Sequence, residues 1–327
     1  MTGRARKWLA WEIGAALAVI AVVAAIVVVV DRGDGTMSPA APPATSRSTT
    51  TPAPAAPLTA PALAVKIDNV PSALPQTGLG SADVVYVEPV EGGLTRLVAV
   101  YTGTPPAVIG PVRSARRTDI ELLGQYGTPV LAYSGAAPEL LPALHGARLV
   151  NAAPAQAAAA YYRDSDRLAP HNLYVRPARL PDGARGPSVA PLRFGPAPGA
   201  GEPTVTEEVR YRAASFAFTW SAADRRWLVS MNGAPLVSTD TGRVTAADVV
   251  LQQVEVTTNE GIEDARGTVS PVARTVGSGP VVVLRDGLRF PGTWTRTAVR
   301  SPTTFHTPDG RELPLAYGPV WVLLIPS

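Results

Sequence analysis

Charged residues and residues of special backbone geometry gather in four short segments of this 327-residue chain. In the first, Lys66-Ile67-Asp68-Asn69, an apolar strand runs into an acid and an amide. Strand ends are where ligands tend to sit in α/β folds, although Asp68 and Asn69 taken alone fit a turn held by their side chains equally well. The second, from Glu88 to Arg96, carries Gly92-Gly93, and its Glu91 and Arg96 either pair across a turn or face a ligand. The third, Gly110-Pro111-Val112-Arg113-Ser114-Ala115-Arg116-Arg117, runs directly into a helix opened by Thr118 and Glu121, a T-x-x-E capping box. A helix N-terminus carries roughly +0.5 charge, so arginines just before it need a negative partner. Asp119, Glu121, Glu88 or Glu91 could supply it, or an anionic ligand held on helix amides and Arg forks. In the fourth segment Pro170 forces Ala169 to be extended and presents His171 and Asn172, and His171 can transfer protons near neutral pH.

Other chemistry is absent from the sequence. It has no G-x-S-x-G, no G-x-x-x-x-G-K-[ST], no H-E-x-x-H and no S-x-x-K. His145, His171 and His306 lack metal-ligand spacing, so neither a metal nor a cofactor is expected. Cysteine is missing altogether, which removes thiol catalysis, disulfides and a lipidated cysteine. The formal charge of +3 comes from the N-terminus: without Arg4, Arg6, Lys7 and Glu12, 26 basic face 25 acidic side chains. No net basic face for nucleic acid follows.

The elements that must position these groups read in order. Residues 1–12 form a basic tail, and 13–30 an uncharged apolar run, with Trp8 and Trp11 at its basic end. About 20 apolar residues cross a bilayer, so a transmembrane helix is expected, with the N-terminus cytoplasmic and the rest extracytoplasmic: a single-pass plasma-membrane protein. Residues 31–62, rich in Pro, Ala, Ser and Thr, read as a disordered linker. Valine-rich strands and short helical patterns over 63–190 suggest a mixed α/β domain, and the Pro/Gly-rich stretch from Pro177 to Pro203 a boundary. Over 204–327 helical patterns nearly vanish. There Asn232-Gly233, Asp286-Gly287 and Asp309-Gly310 signal hairpins, giving a small antiparallel β domain. The fold class expected is therefore α+β, preceded by one membrane helix and a linker.

The four segments, in order, resemble the YerB-like family of bacterial lipoproteins, whose domain has no assigned function. The resemblance rests on Ile67-Asp68-Asn69, Gln76-Thr77-Gly78-Leu79, Ala82-Asp83-Val84-Val85-Tyr86, Val90-Glu91-Gly92-Gly93, Thr95-Arg96, Gly110 to Arg116 and Ala169-Pro170-His171-Asn172-Leu173-Tyr174. In the C-terminal half it adds Val276-Gly277-Ser278-Gly279, Gly292-Thr293-Trp294 and Trp321-Val322. Two departures stand out: an apolar helix replaces the family's lipidated cysteine, and Val87 stands where the family has a glutamate, with Glu88 one step along.

Three functions compete. In the first, Asp68, Asn69, Glu91, Arg96, Arg113, Ser114, Arg116, His171 and Asn172 form a cleft for an anionic or polyhydroxylated cell-envelope ligand. In the second, Asp68 or Glu91 acts as base and His171 as acid in an envelope hydrolase or transferase. The third is a scaffold for an envelope protein, in which the charges only stabilise the fold.

Overall fold

A computed structural model describes residues 60–327 except 185, 200, 265 and 266. The valine-rich runs form three antiparallel strands, β1 (Leu63–Ile67), β2 (Val84–Pro89) and β3 (Thr95–Tyr101), with β3 in the middle. Lys66 and Tyr86 both stand opposite Val98, and Glu88 stands opposite Arg96. Nearly every residue of the three is buried, so both faces of the sheet are covered and the sequence reads as continuous apolar runs. Two short strands follow in parallel, β4 (Val130–Ala132) beside β1 and β5 (Val150–Asn151) beside β4.

In the second half, β6 (Thr206–Arg210), β7 (Ser215–Ser221) and β8 (Arg226–Met231) make an antiparallel meander. After it come β9 (Asp248–Val254), the hairpin of β10 (Val256–Glu263) and β11 (Val269–Ala273), then β12 (Gly277–Arg285), β13 (Leu288–Arg296), β14 (Thr304–His306) and β15 (Val320–Pro326). The last strand, β15, lies parallel between β9 and β2, with Val320 level with both Asp248 and Val84. One eleven-stranded sheet therefore runs through strands of both halves. Asn232-Gly233 and Asp286-Gly287 hold positive φ at both residues, the backbone that a two-residue hairpin requires.

The sheet has two cores. On one face Val84, Tyr86, Val98 and Val100 pack with Leu122, Leu123 and Tyr126. On the other, Val85, Val87, Leu97 and Trp321 meet Phe216, Phe218, Trp227 and Val229 of the meander.

This arrangement corrects the expected α+β class. Among the described residues the chain is mostly β, and its α-helices are two short ones, α1 (Arg117–Leu123) and α2 (Leu141–Gly146). The physical reason is that the second face of the first-half strands is covered by a sheet from the second half, so few helices are needed there. The single-pass membrane assignment is corrected as well. No helix among the described residues is long and apolar enough to cross a membrane. Helix α1, with seven residues, reaches only ~10 Å at ~1.5 Å per residue, against the ~30 Å of a hydrocarbon core. The apolar run 13–30 and most of the linker lie outside the described residues.

Candidate functional site

Strand alternation gathers the charges. Side chains two apart share a sheet face, so Lys66 of β1, Tyr86 and Glu88 of β2, and Arg96 and Val98 of β3 lie on the face that carries α1. Asp68 continues that row one step past β1. At this end of the sheet the apolar face becomes ionic. Lys66 is fully buried; its Nζ donates to Asp119 Oδ1 at 2.9 Å and also pairs with Glu88. Burial lowers the Lys66 ammonium to about 8, with the Asp119 charge pulling the other way.

Asp119 also accepts the Arg116 amide at 2.6 Å, so Asp119 answers the helix start. The expected T-x-x-E box does not form. Thr118 Oγ1 accepts from the Ala273 amide at 3.0 Å, and Glu121 accepts from the Thr275 and Val276 amides at 2.6 and 2.9 Å. Both residues clamp the second-half chain onto α1.

Asp68, with no exposed surface, is the hub of the site. Its Oδ2 lies 2.7 Å from His171 Nδ1 and 3.1 Å from Arg113 Nε, and its Oδ1 lies 3.6 Å from Arg96 Nη1. Backbone bonds set this meeting: the Asp68 amide donates to Pro111 O at 2.9 Å, and the Arg113 amide to Lys66 O at 2.8 Å. The third segment thus lies along the end of β1. The Val112 amide in turn donates to Leu173 O at 2.6 Å, which brings in the antiparallel hairpin of Tyr161–Arg163 and Leu173–Val175, whose connection bears His171. Asn172 is buried and holds that hairpin, accepting from Arg163 Nη1 at 2.6 Å and donating to the Asp164 and Arg167 carbonyls.

Glu91 and Arg116 form a lock. Arg116 Nε and Nη2 reach the two Glu91 oxygens at 2.7 and 2.8 Å, and Ser270 Oγ of β11 donates to the same carboxylate. Burial works to raise the Glu91 carboxyl, but the Arg116 bonds and charge outweigh it and hold the group below its usual range. Arg116 Nη1 is taken by the Ser114 and Ala115 carbonyls. Gly92 and Gly93, at φ 70° and 74°, make the tight turn, and a Cβ on Gly93 would stand 2.5 Å from Arg212 Cβ.

A cleft of about 780 Å³ opens over these groups. Of the expected site residues, Glu91, Arg96, Arg113, Ser114, Arg116 and His171 line it, whereas Asp68, Asn69 and Asn172 do not. Asn69 is buried, donating to Thr95 Oγ1 at 2.7 Å. The far wall is β10 and β11, through Gly261 to Asp264 and Ser270, so the cleft is built from both halves. Sequence reasoning named Glu88 and Asp119 as possible partners of the arginines but not of Lys66, and it did not pick out Ser270. The available signal was that Lys66 is the sole lysine beyond Lys7. Among the described residues no group of three His, Asp or Glu stands close enough to hold a metal ion.

Two family models match, described as the N-terminal and C-terminal domains of "Protein of unknown function (DUF3048)", over residues 49–189 and 207–322. "Putative lipoprotein YerB" of Bacillus subtilis (strain 168) is 43% identical over 60 residues, a stretch that spans only 18% of either chain. The crystal structure of YerB protein from Bacillus subtilis superposes with a TM-score of 0.69 at 20% identity, covering 83% of this chain and 96% of that one. That likeness shows the fold.

Proposed function

The chain belongs to the DUF3048 family of proteins of unknown function, and from that premise we propose that its cleft binds an anionic, hydroxyl-bearing ligand of the cell envelope. The observation that carries this reading is a local imbalance of charge around Asp68, in a cleft whose lining also includes Glu139, Glu263 and Asp264. Arg116 is matched by Glu91, and Lys66 by Glu88 and Asp119 away from the cleft, but Arg96 and Arg113 share the single carboxylate of Asp68. Arg113 approaches Asp68 with Nε at 3.1 Å, an ion pair without hydrogen-bond geometry, and among the described residues no hydrogen bond engages its Nη1 and Nη2. A guanidinium so presented suits a phosphate or carboxylate, and Ser114 adds a hydroxyl at the wall. The envelope as source is supported by the lipoprotein description of the relative.

Calorimetric titration with poly(glycerol phosphate), and with an uncharged glycan as control, tests the reading. The protein binds the polyanion, Arg113→Ala weakens that binding by about 10- to 100-fold, the size of one charge-assisted contact, and added salt weakens it further. Equal affinity of both proteins for the polyanion refutes the assignment.

A further inference from the structure

We infer that the cleft also performs acid–base chemistry, with His171 taking a proton from a hydroxyl adjacent to a phosphodiester so that the phosphoryl group cyclises onto that oxygen. The inference rests on the anion-binding reading above and adds a reaction to it.

His171 lines the cleft with a fifth of its side chain exposed, and its Nδ1 is committed to Asp68 Oδ2 at 2.7 Å. One ring nitrogen, Nε2, is left to exchange a proton with a ligand. A fully buried carboxylate on Nδ1 fixes the tautomer and orientation of the ring. The Arg113 Nε lies 3.1 Å from the same Oδ2. One oxygen atom therefore anchors both the base and the cationic fork, side by side, as a phosphodiester with a neighbouring hydroxyl requires.

The attacking oxygen comes with the ligand. Of the two serines of the cleft, Ser270 Oγ is engaged with Glu91 and Ser114 Oγ has Ser134 Oγ, not a base, as its hydrogen-bond neighbour at 3.4 Å, and the chain has no cysteine. In the step, the ligand's O–H proton passes to Nε2 and its oxygen forms a new bond to phosphorus. The bond from phosphorus to the departing alkoxide breaks, and the imidazolium returns its proton to that alkoxide. The products are a cyclic phosphate and an alcohol, and no redox change occurs. Arg113 and Arg96 answer the negative charge that gathers on the phosphoryl oxygens. Asp68 acts as a positioning residue.

The test uses 2-hydroxypropyl p-nitrophenyl phosphate beside its propyl analogue, which lacks the hydroxyl, and reads p-nitrophenolate release. The protein cleaves the first at least 100-fold faster than the second, and His171→Gly loses about 10²- to 10⁴-fold, partly restored by added imidazole. Asp68→Asn moves the alkaline or acid limb of the pH–rate profile, a readout a merely structural role leaves in place. Thermal melts of both variants report whether they fold, and the imidazole rescue decides the question for a weakened fold. Absence of turnover while phosphate still binds overturns this inference alone; absence of both overturns the binding reading too. Equal rates on the two probes, or an unchanged His171→Gly, also overturn it.

Discussion

Asp248→Asn should stabilise the protein in a way that depends steeply on pH. Asp248 opens β9, beside Val320 of β15 and Arg285 of β12, and is fully buried. The Ala316 amide approaches it, but no hydrogen bond of good geometry satisfies either oxygen. Burial pushes the carboxyl up from the usual 3.8 to about 8; the Ala316 amide and the Arg285 charge offset this only in part. The sign follows from proton counting. Between pH 4 and 8 the folded chain holds a proton that the unfolded chain has released, so the wild type loses stability as pH rises through that window and levels off above it. At about 1.4 kcal/mol per pH unit, the loss is on the order of 5 kcal/mol by pH 8. Asparagine has the shape of the neutral acid and never ionises. Urea midpoints of the two proteins should therefore nearly coincide at pH 4, diverge in favour of Asp248→Asn through pH 6, and differ most at pH 8. A midpoint difference that is constant with pH, or a variant less stable at pH 8, refutes the argument.

Two further substitutions probe the ionic end of the sheet. Lys66→Met leaves Glu88 and Asp119 buried without their cation and should cost about 3–5 kcal/mol in urea unfolding at neutral pH, with Glu88→Gln in the same chain restoring part of it. A loss below about 1 kcal/mol would mean the buried lysine is dispensable. Gly110→Ala would set a Cβ 2.6 Å from Tyr174 Cδ1 and 3.0 Å from Leu173 O, displacing the segment that aims Arg113. It should lose about 1–3 kcal/mol of stability by thermal melting, and a neutral result would show that the contact relaxes freely.

The turns and motif segments were legible because their signals are local. Asn232-Gly233 and Asp286-Gly287 announce their backbone in two residues. Pairing at a distance left no such mark. Nothing near Val320 says that the final strand lies between β9 and β2, and that placement is what covers and extends the first-half sheet. The capping box misled for a related reason: Thr118 and Glu121 spend their oxygens on Ala273, Thr275 and Val276, more than 150 positions away. The sequence also raised the right question about the arginines without sorting them. Only coordinates separate Arg116, spent on Glu91 and two carbonyls, from Arg113, which keeps two nitrogens for something else.

Diffraction from crystals soaked in a short glycerol phosphate oligomer addresses the cleft itself. A phosphate should lie against Arg113 Nη1 and Nη2, with an oligomer hydroxyl ~3 Å from His171 Nε2. Oligomer density on another face, with the Asp68 hub left bare, would contradict it.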